Sequence, residues 1–220
     1  MCRFEELAGV FVQPQPAIEI KNLTVSYTDG KTIINNLSLT INKSENILIS
    51  GHNGSGKTTL LKAILGLIPM NSGSITINNN RKGFIAYCGQ EKESSSFPIS
   101  VEEVLNLAVP GDKSKKEIEQ IIKKATESTN CETLIKRNFF SLSGGEKQRV
   151  SIARCLCQEP GIILLDEPFT FLDKDGREEL KTILKRLADS EITVLMVTHQ
   201  NDDKDDFGTW RNISLNDEER

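Results

Sequence analysis

No apolar run in this chain approaches the roughly 18 residues that a membrane-spanning helix needs; the longest are stretches such as Ile162-Ile163-Leu164-Leu165. A basic surplus is missing as well. Lys and Arg total 27 against 31 Asp and Glu, a formal charge of −4, so nucleic acid is not expected as a partner. The N-terminus lacks a signal-peptide grammar: its short apolar piece, Leu7 to Val12, is preceded by Glu5 and Glu6, and no secretory leader is expected. Cysteines are five, odd in number and scattered, and Cys155-x-Cys157 lacks the two-residue gap of zinc or redox pairs. Small buried thiols in a reduced intracellular chain are the expectation. Internal repeats are absent. What remains is 220 residues, 37% hydrophobic and 26% charged, enough for one large soluble domain with a proper core, or a core with a smaller appended lobe.

Residues 1–16 end in Gln13-Pro14-Gln15-Pro16 and are expected to be an extension. Residues 17–215 then form the domain, and 216–220 a tail. From Ala17, Ile18, Ile20, Val25 and Tyr27 alternate with polar residues, Asp29-Gly30 gives a turn signal, and Leu37, Leu39 and Ile41 alternate again. This predicts an antiparallel β unit. Ile47-Leu48-Ile49 is a continuous apolar run, as a strand covered on both faces requires. A helix is expected over Thr58 to Leu67, and further strands at Ser74 to Ile77 and Gly83 to Tyr87. Ser100 with Glu103 marks a capping box opening a helix that Pro110-Gly111 ends. Lys115 to Ala125 carries Ile118, Ile121, Ile122 and Ala125 on one stripe; its lysines read as a solvated face. Helices at Gly144 to Gln158 and Gly176 to Ala188 alternate with strands at Ile162 to Leu165 and Ile192 to Val197, with a short strand at Arg211 to Leu215. The acidic stretch Asn201 to Asp206 is expected to be exposed. This order predicts an α/β fold, a parallel-sheet core carrying a helical lobe at about 91–158.

Gly51-His52-Asn53-Gly54-Ser55-Gly56-Lys57-Thr58 matches G-x-x-x-x-G-K-[ST], between a buried strand and a helix. Glycines let the backbone curl so that its N–H groups face phosphate oxygens, and the following helix adds its positive dipole end. Lys57 is the side chain for the terminal phosphates and the Thr58 hydroxyl for Mg²⁺. The complementary carboxylates stand at the end of Ile162 to Leu165. Asp166 can hold magnesium through water, and Glu167 can take a proton from an attacking water.

Leu142-Ser143-Gly144-Gly145-Glu146-Lys147-Gln148-Arg149 discriminates among phosphate-binding classes. It resembles the LSGGQ-type signature of ABC ATPases, and in physical terms it is a second anion-gripping helix start built on Ser143, Gly144, Gly145 and Glu146. The resemblance covers about Ile18 to Leu215. It implies ATP contacts along Gly51 to Thr58 and at Thr59, with Tyr27 similar to the aromatic that stacks on adenine. Gln90 is similar to the Q-loop glutamine that reaches Mg²⁺ and the water. Phe171-Leu172-Asp173 resembles the D-loop, placing Asp173 at a dimer seam, and His199 resembles the switch histidine on the γ-phosphate. Glu146-Lys147 and Phe169-Thr170-Phe171 depart from the commoner sequences, yet every reacting group is retained, so hydrolysis is expected.

In that family two cassettes stack head to tail, each ATP lying between one P-loop and the partner's signature. The short interval from Lys57 to Ser143 suits a compact lobe rather than a long coiled coil. A single cassette most resembles the ATP-binding subunit of an ABC transporter, peripheral on the cytoplasmic face of the cell membrane and docked on separate membrane-spanning permease subunits, with a substrate-binding receptor in importers. Phe97 to Val104 and Glu167-Pro168-Phe169-Thr170 resemble metal-ion importers. A soluble ABC ATPase of another machine, such as iron–sulfur assembly, is the alternative, and a nucleotide-binding module that regulates without turnover is a third.

Overall fold

Alternating burial along two long strands, Pro16–Ser26 (β1) and Thr32–Asn42 (β2), directs Ile18, Ile20, Leu23, Val25, Ile34, Leu39 and Ile41 inward. The two strands pair antiparallel, as the period-two pattern requires. The computed structural model describes residues 16–27, 30–79, 84–89, 98–170, 172–198 and 206–215. Ser72–Ile77 (β4) pairs with the other side of β1, giving a three-stranded sheet of order β2-β1-β4.

The second sheet is parallel and five-stranded, in the order β5-β6-β7-β3-β8. Its members are Asn46–Ser50 (β3), Ile85–Cys88 (β5), Ile162–Asp166 (β6), Thr193–Thr198 (β7) and Arg211–Ser214 (β8). Its central strands read as continuous apolar runs because both faces are covered. Ile47, Ile49, Ile162, Leu164, Leu195 and Val197 pack toward the antiparallel sheet and Lys57–Ile64 (α1). Leu48, Ile163, Leu165, Val194 and Met196 pack on the opposite face, against Gly144–Leu156 (α4) and Lys174–Ala188 (α5).

Between β5 and β6 stand Val101–Asn106 (α2), Lys115–Thr129 (α3), and the 3-10 turns Glu132–Leu134 and Phe139–Ser141. With one face of α4 they enclose a third core, from Val101 and Leu105 to Val150 and Ala153. The Ser100 capping box forms as expected: Ser100 N–H donates to Glu103 and the Glu103 N–H returns to the Ser100 hydroxyl. Ser114 with Glu117 and Ser143 with Glu146 repeat the device on α3 and α4.

Several boundaries differ from expectation. Helix α1 stops at Ile64, not Leu67, because Gly66 takes a left-handed φ of 68° and its N–H turns back to Ala63. Helix α2 ends at Asn106, well before Pro110. Helix α3 runs past Ala125 to Thr129, with the Thr126 and Thr129 hydroxyls bonded to carbonyls of the preceding turn, and Asn130 closes it in a left-handed cap. Tyr27 lies just beyond β1, in the turn, its N–H bonded to Lys31 and its carbonyl to Gly30. The acidic stretch is not wholly solvated either: Asp206 pairs with Lys181 at 2.7 Å, and Phe207 and Trp210 behind it are buried. Lys113 is paired as well, with Glu159.

Cys88, Cys131, Cys155 and Cys157 are buried free thiols. Burial pushes the Cys157 thiol up to about 12 and that of Cys131 upward as well, so thiolate is scarce at neutral pH. In a Cys2→Ser background, an aromatic disulfide reagent at pH 8 is expected to label no cysteine until denaturant is added. Rapid labelling of the native protein would contradict the burial.

Candidate active site

The loop between β3 and α1 curls because Gly54 and Gly56 adopt φ of 84° and 96°. Gly51 meets a different constraint: a Cβ there would lie 2.5 Å from the Leu215 carbonyl oxygen and 2.5 Å from Ser55 Oγ. The loop is therefore pressed between its own turn and the end of β8. Inside it Lys57 is buried, and its ammonium donates to the carbonyls of Gly51 at 2.8 Å and His52 at 2.9 Å. Burial draws the Lys57 ammonium below its ordinary value, opposed by the nearby charges of Glu167 and Asp166. Ser55 Oγ is buried with no hydrogen-bond partner among the described residues. A cradle holding a buried cation and an unsatisfied hydroxyl fits an anion with several oxygens, as a polyphosphate has.

Strand β6 carries Asp166 to its C-terminal tip, where the carboxylate is buried. Thr58 Oγ1 donates to Asp166 Oδ1 at 3.0 Å, and Tyr87 from β5 donates to Asp166 Oδ2 at 2.8 Å. Desolvation and the Asp166 carboxylate push the Tyr87 hydroxyl upward, so it remains a donor. Glu167 follows with φ 50°, an uncommon conformation for a residue with a side chain. The surroundings fix it: its N–H donates to Val197 of β7 at 3.1 Å, its carbonyl accepts from the Thr170 N–H, and Oε2 accepts from the Thr170 hydroxyl. Glu167 thus comes to line one cleft with Tyr27, Ile33, Gly54, Lys57 and Thr58. Tyr27 is 55% exposed at its mouth, its hydroxyl 3.4 Å from Thr59 Oγ1. His52 is exposed on the loop, and Asn53, also exposed, lines the cleft.

Hard oxygens from Thr58 and Asp166 side by side suit a small divalent cation such as Mg²⁺. No cluster of three His, Cys, Asp or Glu exists among the described residues. The protein donors are accordingly few, as they are where phosphates complete the coordination.

Ser143 and Gly144 are exposed, and none of residues 143–146 lines the Lys57 cleft. The signature segment is itself a capping box: the Ser143 hydroxyl accepts from Glu146 N–H, and Glu146 Oε2 accepts from Ser143 N–H at 2.8 Å. That bond, with the Arg137 guanidinium, holds Glu146 below the usual carboxylate range. Gly144 and Gly145, as the first two helical residues, keep N–H groups with no intrahelical acceptor. The first turn of α4 lies against that of α5, where a Cβ on Gly145 would meet Gly176 Cα at 3.7 Å. Exposed Asp173 caps α5 by accepting from Gly176 N–H at 2.9 Å. Arg149 pairs with Glu179 and donates to the Asn130 carbonyl, tying α4 to α5 and to the end of α3.

The structure brings Tyr27, Gly51 to Thr59, Asp166 and Glu167 together and leaves Ser143, Gly144, Gly145, Glu146 and Asp173 on a separate face. Gln90, Phe171 and His199 lie outside the described residues. Tyr87 and Arg137 were not anticipated from sequence. Tyr87 stands three residues before Gln90, but no residue type betrays a hydroxyl aimed at the tip of the adjacent strand.

A parallel sheet with a lysine-bearing phosphate loop, a strand-tip Asp-Glu pair and a glycine-rich second helix start defines a P-loop ATP-binding cassette. The family profile described as ABC transporter matches residues 34–170, more than half of the chain, and the chain belongs to that family. The energy-coupling factor transporter ATP-binding protein EcfA1 of Ureaplasma parvum is 35% identical over 202 residues, covering 83% of this chain and 66% of that protein. The manganese transport system ATP-binding protein MntB of Listeria monocytogenes is 36% identical over 196 residues, covering 83% and 80%. The solved structure of cbiO1 from Clostridium perfringens, part of the ABC transporter complex cbiONQ, is similar with a TM-score of 0.75 at 30% identity, covering 84% and 79%. The chain spans 66%, 68%, 50% and 49% of the length of four such curated relatives.

Gly51→Ala is expected to cost about 1–3 kcal/mol, the scale of overpacking, and to abolish nucleotide binding. At Gly111 an added Cβ meets nothing within 4 Å, so Gly111→Ala should leave both unchanged. Denaturant unfolding and titration with a fluorescent ATP analogue read the difference.

Proposed function

We propose that this chain is the ATP-binding and ATP-hydrolysing subunit of an ABC transporter, peripheral on the cytoplasmic membrane face and acting on separate membrane-spanning subunits. No helix among the described residues is long and apolar enough to cross a membrane; the similarity to ATP-binding proteins of transport systems supports assigning translocation to separate chains. The observation that carries the reading is the convergence of Lys57, Thr58 and Glu167 on one cleft, with the Asp166 carboxylate bonded to Thr58 beside them.

In this reading Lys57 leaves its two loop carbonyls for the terminal phosphates, and the N–H groups of the curled loop take the remaining oxygens. Tyr27 stacks on the base. Thr58 and Asp166, with Gln90, would hold Mg²⁺, which supplies charge neutralisation on the phosphates when bound. Glu167, pinned at its backbone to β7, accepts the proton of the attacking water. His199, next after β7, senses the γ-phosphate.

Ser143, Gly144, Gly145 and Glu146 form an exposed anion-gripping helix start beside Asp173. We assign this face to the ATP held by a second cassette, in a head-to-tail pair with Asp173 at the seam. ATP closes the pair, the permease subunits are repositioned, and hydrolysis with phosphate release resets them. Relatives named for energy-coupling factor and manganese transport support our assignment to uptake, with a substrate-binding receptor supplying the cargo and a metal ion as its class.

Glu167→Gln is expected to retain ATP, to shift the chain toward a stable dimer in light scattering, and to lower turnover at least about 100-fold. Undiminished hydrolysis would remove Glu167 as the base. Lys57→Ala should lose ATP binding by equilibrium titration, and retained affinity would remove the cradle.

A further inference from the structure

We propose that Tyr87 is a positioning residue of the site: its hydroxyl fixes the Asp166 carboxylate for the divalent cation that accompanies the nucleotide. The inference rests on the ATP-site reading above and names a device within it.

Tyr87 pairs with Leu164 across the parallel sheet. Asp166 lies two residues beyond Leu164 and shares its face. The phenol is long enough to cross that offset, and it donates to Oδ2 at 2.8 Å while Thr58 donates to Oδ1 at 3.0 Å. Of the described residues, these two supply the side-chain donors on Asp166. The terminal torsion of an Asp side chain is soft and roughly two-fold, so two donors from different elements are what define the carboxylate plane. Their fates then diverge. The phosphate-loop motif commits the Thr58 hydroxyl to the metal. Tyr87 is left as the donor that keeps the carboxylate plane from turning.

The hydroxyl-bearing edge of the ring is also confined by the chain itself. A Cβ at Gly89 would come within 2.6 Å of ring Cε1 and 2.8 Å of the hydroxyl oxygen. The backbone that leads to Gln90 therefore lies close against the ring, and a side chain at Gly89 would force the phenol to shift. One side chain thereby connects the strand-tip carboxylate with the approach to Gln90, both of which the proposed function assigns to the metal.

The test uses the full chain and its Tyr87→Phe variant, which keeps the ring on Gly89 and removes the hydroxyl alone. The probe is the non-hydrolysable ATP analogue AMP-PNP, followed by binding and not by turnover. In EDTA the affinity of Y87F is expected to lie within twofold of wild type. At fixed AMP-PNP, the Mg²⁺ concentration giving half-maximal tightening should rise about tenfold, the lower scale for losing a hydrogen-bond partner of a metal-binding residue. In an Asp166→Asn background the same substitution should raise it no further, since Tyr87 then has no carboxylate to position. A Mg²⁺ dependence equal to wild type overturns the inference. So does an affinity loss of equal size with and without Mg²⁺, which would mark a purely structural role. A wild-type chain that binds no AMP-PNP in either medium refutes the proposed function, and this inference with it.

Discussion

A carboxylate at the end of a strand buried on both faces is costly unless its oxygens find donors, and Asp166 is such a group. Thr58 answers from the first turn of α1 and Tyr87 from the neighbouring strand. Removing either leaves a buried oxygen unsatisfied, so the phosphate loop, β5 and β6 are held in one arrangement by the same pair of atoms. Lys57 belongs to this balance. Its ammonium is disfavoured by burial and supported by Asp166 and Glu167, leaving a cation that gains when more negative charge arrives.

The strand order explains why these groups can meet. β7 lies between β6 and β3, so the carboxyl ends of three parallel strands present the phosphate loop, the Asp166-Glu167 pair and the segment before His199 side by side. Ligands of open parallel sheets gather at such ends. Glu167 shows the cost of the arrangement. It reaches the cleft through a left-handed backbone conformation, kept by its bonds to Val197 and Thr170, a form of strain common where function dictates geometry.

The second helix start follows from a different local rule. Among the described residues three helices open with Ser-x-x-Glu, and in α4 that box coincides with the glycine-rich signature. The cap satisfies the third amide of α4 and leaves the first two, on glycines without side chains, available to a ligand. Glu146 sits there as a charge already engaged by Ser143 N–H and Arg137, so the departure from glutamine need not repel a phosphate. Family membership joins these features to the nucleotide chemistry of ABC cassettes.

Much of this was legible in sequence because the signals are local. Period-two alternation gave the antiparallel unit, continuous apolar runs gave the covered strands, and Gly51 to Thr58 fixed the loop through its own backbone requirements. The capping boxes at Ser114 and Ser143 were equally local and readable by the rule that found the one at Ser100. Helix ends were less legible, since Gly66 and Asn130 act through left-handed caps whose use depends on what the helix packs against. Only tertiary structure could decide that β4 joins β1 while β5 joins β6, that Asp206 meets Lys181, and that Tyr87 reaches Asp166. Each joins residues far apart in the chain, and sheet register and burial, not neighbouring sequence, set which atoms come within bonding distance.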